Sequence, residues 1–103
     1  MKTIKMLSEM IEEELEGAEE YIRHALMLKE RDASLAKTFF EISQQEMEHV
    51  NKLHTEVARL IEAYRKEHGE PPAAMLAVYD YLHEKHINKA NEVKMLQEQY
   101  RKS

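Results

Sequence analysis

The chain contains no cysteine. Disulfides, thiolate metal sites and cysteine nucleophiles are excluded, so any metal must be held by carboxylates, imidazoles or water. Those donors suit iron or manganese and admit zinc. Tryptophan is absent too, and glycine and proline occur only twice each in 103 residues. A chain with so few breakers has few places to turn. It has no apolar run of about 18 residues, the length that a membrane-spanning helix needs. Positive charge is in deficit, with 15 Lys and Arg against 20 Asp and Glu, for a net charge of −5. No basic cluster on one helical face offsets this, so a nucleic-acid binder, which needs cations to displace counterions, is not expected. The opening MKTIKMLSEMIEEE turns acidic too soon for a signal peptide, and the expected location is cytoplasmic.

What is abundant is Glu, Lys, Leu, Ala and Met, the composition of long helices. The length allows a single domain, residues 1–103. Thr3 and Ser8 are both suitable N-caps for a first helix running to about Glu30, with an apolar stripe of Leu7, Ile11, Ala18, Tyr21, Ile22, Ala25 and Leu28. Arg31 to Ser34 breaks the pattern and offers Asp32 and Ser34 as caps for a second helix. Its stripe is Leu35, Phe39, Ile42, Val50, Leu53, Val57, Leu60, Ile61 and Tyr64, and it ends at His68-Gly69. Pro71-Pro72 leads into a third helix from Ala73 to Arg101, with Met75, Tyr79, Leu82, Ala90, Val93 and Tyr100 on one face. Short connections predict that the three run up, down and up. Rods of about 40 to 50 Å share a thin interface, which favours a homodimer or higher homo-oligomer.

Polar residues on the apolar stripes carry the functional signal. Projected at about 100° per residue, Glu12, Glu13, Glu16, Glu19 and Glu20 fall away from the stripe and read as a solvated face. Glu14 falls within about 20° of its centre, and so does Glu46 on the second helix. His49 follows Glu46 one turn later on the flank of that stripe, so Glu46-Met47-Glu48-His49 is an E-x-x-H spacing with both end members turned inward. A buried carboxylate is costly unless paired or bound to metal, and the first Lys or Arg on an inner stripe is Lys94 on the third helix. A metal ion would supply the missing positive charge, and E-x-x-H is the helical spacing of di-iron bundles. His83 and His86 lie near the inner stripe of the third helix and are candidates for additional ligands or for hydrogen bonds to the carboxylates. His24 and His68 face solvent, and His54 lies on the opposite flank from His49. Gly17 would permit close helix approach near Glu14.

With Glu14, Tyr21 seven residues later and Glu46-x-x-His49 on the next helix, residues 7–64 resemble the ferritin-like superfamily of bacterioferritins and rubrerythrins. The resemblance implies a di-iron carboxylate site in which Glu14 is a terminal or bridging ligand, Glu46 bridges and His49 is a terminal imidazole. Tyr21 would donate a hydrogen bond near the site. Members of that superfamily use four helices and six ligands, whereas this chain has three helices and one such set of three. The expected architecture is therefore all-α, a ferritin-like half-bundle completed by dimerisation. The activities implied are Fe(II) oxidation and iron handling, as a ferroxidase, or peroxide and dioxygen detoxification, as a peroxidase-type oxidoreductase. The alternatives are a metal-free helical scaffold or adaptor and a structural zinc or manganese site joining two subunits.

Overall fold

The structure is a computed structural model that describes residues 2–103. It is all-α: α1 spans Lys2–Leu28, α2 Ala33–His68 and α3 Ala73–Lys102, with no strand among the described residues. The breaks fall where the turn chemistry puts them. The Asp32 carboxylate accepts from the Leu35 N–H at 3.1 Å and caps α2, while the Leu28 carbonyl closes α1 by accepting from Arg31 and Asp32. Gly69 takes φ +78° beyond α2, and its N–H closes the last turn on the Arg65 carbonyl. Pro72, extended at φ −54° and ψ 144°, opens α3.

Two expectations fail at the chain start. Thr3 lies inside α1, and Ser8 is buried in its interior, so neither is a cap. A helix already under way at Lys2 has no use for a hydroxyl six residues later.

Ser43 on α2 bonds to Ala18 on α1 and His49 to Glu14, so α1 and α2 are antiparallel. Lys85 reaches Glu12, Lys89 reaches Glu19 and Glu92 meets Arg23, so α3 runs parallel to α1. The bundle is up, down, up in a rod of 55 × 18 × 17 Å. α1 is packed closely along α2 and less extensively along α3, while α2 and α3 meet through side chains, Gln97 with Ser43, His83 with His54 and Tyr100 stacked on Phe40.

Serving two partners shifts the buried stripe of α1. It comprises Ile4, Ser8, Ile11, Leu15, Ala18, Ile22 and Ala25, while Leu7, Tyr21 and Leu28 are only half-buried. The acidic run is not one solvated face either. Glu12 and Glu19 turn to α3 and pair with Lys85 and Lys89, and Arg23 bridges Glu19 and Glu92. Lys94 is exposed, and the partly buried lysine of α3 is Lys89.

One polar cluster joins all three helices. The buried Ser43 hydroxyl donates to the Ala18 carbonyl at 2.7 Å and accepts from Gln97 Nε2 at 3.0 Å. Ser43→Ala leaves the buried Gln97 amide without that acceptor and should cost about 1–3 kcal/mol in urea denaturation. The double variant Ser43→Ala/Gln97→Leu, which removes the orphaned amide, should recover part of the loss. A single variant no less stable than the double would show that the cluster is not a coupled unit.

Candidate metal centre

Glu14 and Glu46 come together because their helices are antiparallel and in a fixed register. Glu14 lies one turn before Ala18, and Glu46 lies one turn after Ser43, the residue bonded to Ala18. His49 is one turn further along α2, and its Nδ1 lies 3.2 Å from Glu14 Oε2. One donor atom each from Glu14, Glu46 and His49 lies within 4.8 Å of the others, the only such group of three or more among the described residues.

Gly17 makes room for the arrangement. A Cβ there would sit 3.1 Å from Glu46 Oε2, tighter than ordinary contact. Its effect is thus to admit the Glu46 carboxylate, a more specific role than the close helix approach its position suggests.

Neither carboxylate is fully buried. With the α1 stripe centred between Leu15 and Ala18, Glu14 lies about 70° to one side, and Glu46 is about 60° off the corresponding stripe of α2. The Glu14 side chain is 29% exposed and that of His49 52%. Glu14 points about 160° away from Glu12, which faces α3. The three side chains therefore share the open face of the α1–α2 pair, the side that α3 does not cover. No Lys or Arg is paired with Glu14 or Glu46 among the described residues.

Without such a cation the two acids must share charge another way. Glu46 is pushed up to about 7, first by its hydrogen bond to Glu14, then by burial and by the Glu14 charge. Glu14 is lowered, first by that same bond and then, against burial, by His49. Below about pH 7 the pair shares one proton, because two carboxylates this close resist double ionisation.

The remaining candidates lie elsewhere. Tyr21 packs its ring on Phe39, with centroids 5.6 Å apart, and makes no hydrogen bond to Glu14, Glu46 or His49 among the described residues. His83 Nδ1 is 2.8 Å from His54 Nε2, the two rings stack, and Tyr79 also stacks on His83. His86 is buried, and its Nε2 has no hydrogen-bond partner among the described residues. Neither α3 histidine joins the three-residue group. The position of α3 across the α1–α2 layer explains this. The His54–His83 pair was missed because a histidine on the far flank of α2 has no visible partner until the position of α3 is known.

Compared with family models, curated proteins and solved structures, the chain matches none.

The shared proton gives a pH signature. The folded Glu46 value lies above the unfolded one, near 4.3. Its contribution to stability is therefore complete below the unfolded value and lost as pH rises through about 7. His54 and His86, lowered chiefly by burial, have the opposite sign and weaken the fold as pH falls. Glu46→Gln keeps a hydrogen-bond donor and removes the titration. Its urea midpoint in chelator should gain on that of the wild type as pH rises from about 5 to about 8. A constant gap would show that no proton is shared.

Proposed function

We propose that the chain is a ferritin-like iron protein whose Glu14, Glu46 and His49 form half of a di-iron site, completed by a second copy across a two-fold axis. The observation that carries this reading is the convergence of these three donors on the open face of the α1–α2 pair, with room for the Glu46 carboxylate at Gly17. Hard oxygens with one imidazole fit iron or manganese and admit zinc.

The surroundings support a second copy. Met10, Phe39, Ile42 and Leu53, exposed or half-buried, flank the group on the same face. A two-fold contact there is isologous and would bring four carboxylates and two imidazoles together. The α3 helices would then lie on the outside of a four-helix layer, too far away for His83 or His86 to ligate. Covering the face also raises the cost of leaving the acids without a counter-charge.

When bound, iron would supply the electrons for reduction of dioxygen or peroxide, one from each Fe(II). The residues have distinct parts. Glu46 would have to lose its proton to ligate, so binding would release protons and weaken as pH falls below about 7. Glu14 stays ionised and holds His49 by Nδ1, which leaves Nε2 as the free ring nitrogen. The contact between Glu14 and His49 fixes the imidazole before metal arrives.

A metal-free scaffold is the second reading. It is favoured by the pairing of Glu14 with both Glu46 and His49, which leaves the group internally satisfied. Metal analysis and light scattering separate the two. Protein purified without chelator and reloaded with Fe(II) should be a dimer with about one ion per chain. Glu46→Ala should abolish loading and Fe(II) oxidation while keeping its helical circular dichroism. A monomer with two ions per chain would defeat the shared site, and wild-type protein that takes up no iron would leave the scaffold reading.

A further inference from the structure

An apolar cavity of about 400 Å³ opens where α1 begins, α2 ends and α3 begins. Its walls include Ile4, Ile61, Pro71, Met75 and Leu82. The volume lies in the range of small-molecule sites, which combine an apolar wall with a few polar groups that orient the ligand. Here the polar groups are Lys5, Ser8 and the phenol of Tyr79.

Two of the three have no protein partner among the described residues. Lys5 is exposed at the rim and enters no ion pair. Ser8 is 92% buried, yet its hydroxyl makes no hydrogen bond to protein. The hydroxyl is not sealed off, since the orphaned buried side-chain atom among the described residues is His86 Nε2, so it opens onto the cavity, and a ligand that displaces water there must supply an acceptor in its place. The charges acting on the Tyr79 phenol, Asp80 and Arg65, oppose one another, which leaves Lys5 as the uncompensated charge of the lining.

We propose that this cavity binds a single-chain amphiphile with an anionic head, a fatty carboxylate. The alkyl chain lies against the apolar wall, and the carboxylate accepts from the Lys5 ammonium and the Ser8 hydroxyl. A purely apolar guest leaves Ser8 unpaired, and a cationic head is repelled by Lys5. The cavity is on the α3 side of α1 and shares no residue with the Glu14, Glu46 and His49 group, so it does not depend on metal.

Titration calorimetry of the metal-free full chain with decanoate tests this. One decanoate should bind per chain with a negative heat-capacity change, about tenfold or more tighter than decylammonium. Lys5→Glu, at an exposed position, should remove that preference. Ala74→Phe, which fills the cavity from its rim, should abolish binding while helical circular dichroism is kept. Equal affinity for the two head groups, no saturable binding, or decanoate binding unchanged in Ala74→Phe would overturn the proposal. So would light scattering in which Ala74→Phe converts an oligomer to a monomer, since the cavity would then be a contact between copies. If Ala74→Phe fails to fold, the head-group preference of Lys5→Glu decides alone.

Discussion

Everything on the open face depends on one short hydrogen bond, from the Ser43 hydroxyl to the Ala18 carbonyl. It fixes how far α2 is displaced along α1, and in an antiparallel pair that displacement decides which side chains meet. A slip of one residue would rotate Glu46 away from Glu14 by about 100°. Small residues make the bond possible. Ala18, Ala25 and Ala36 are fully buried, and Gly17 presents bare backbone beside Glu46, so the axes can lie close. Gln97 then anchors α3 to the same hydroxyl, so a single serine coordinates the register of all three helices.

The same closeness sets the electrostatic problem of the site. Two carboxylates pressed together without a lysine or arginine need a positive charge, and the smallest available is a proton. The Glu14–Glu46 pair is thus stable with a proton, and the metal centre proposed above rests on exchange of that proton for a larger cation. The half-exposed setting matters as much. Deep burial would hold Glu46 neutral too firmly to exchange, and full exposure would leave no reason to share. A flank position, covered on one side by the partner helix and open on the other, lies between these extremes.

Much of the fold was legible in the residues, for local reasons. Asp32, Gly69 and the two prolines are punctuation that acts within a turn of the chain, and all mark real boundaries. The proximity of Glu14, Glu46 and His49 was legible because helical periodicity and a short connection set two antiparallel helices side by side near this register, which the Ser43 bond then fixes. What depends on a third helix was not. The α1 stripe centres away from Glu14 because α3 claims part of that helix, and Glu12 and Glu19 look solvated until Lys85 and Lys89 are placed opposite them. Ser8 resembles a cap in sequence and is in fact part of the buried stripe of α1. Periodicity gives the direction of a side chain but not the identity of what stands there.

The manner in which α3 is held has a consequence for how the molecule comes apart. Its fully buried contribution is small, chiefly Val93 with His86 and Gln97, and much of its attachment to α1 runs through ion pairs, Lys85–Glu12 and Arg23–Glu92 at the surface and Lys89–Glu19 partly buried. The exposed pairs contribute little each and are screened by salt. The α1–α2 hairpin, by contrast, contains most of the core. The rod is therefore not expected to be uniformly cooperative: α3 should be the unit of lowest free energy of opening, its amides exchanging with solvent through a sub-global excursion that leaves the hairpin folded. Ionic strength acts on that excursion first, while the register set by Ser43 and Ala18, and with it the open face, persists until the molecule unfolds as a whole.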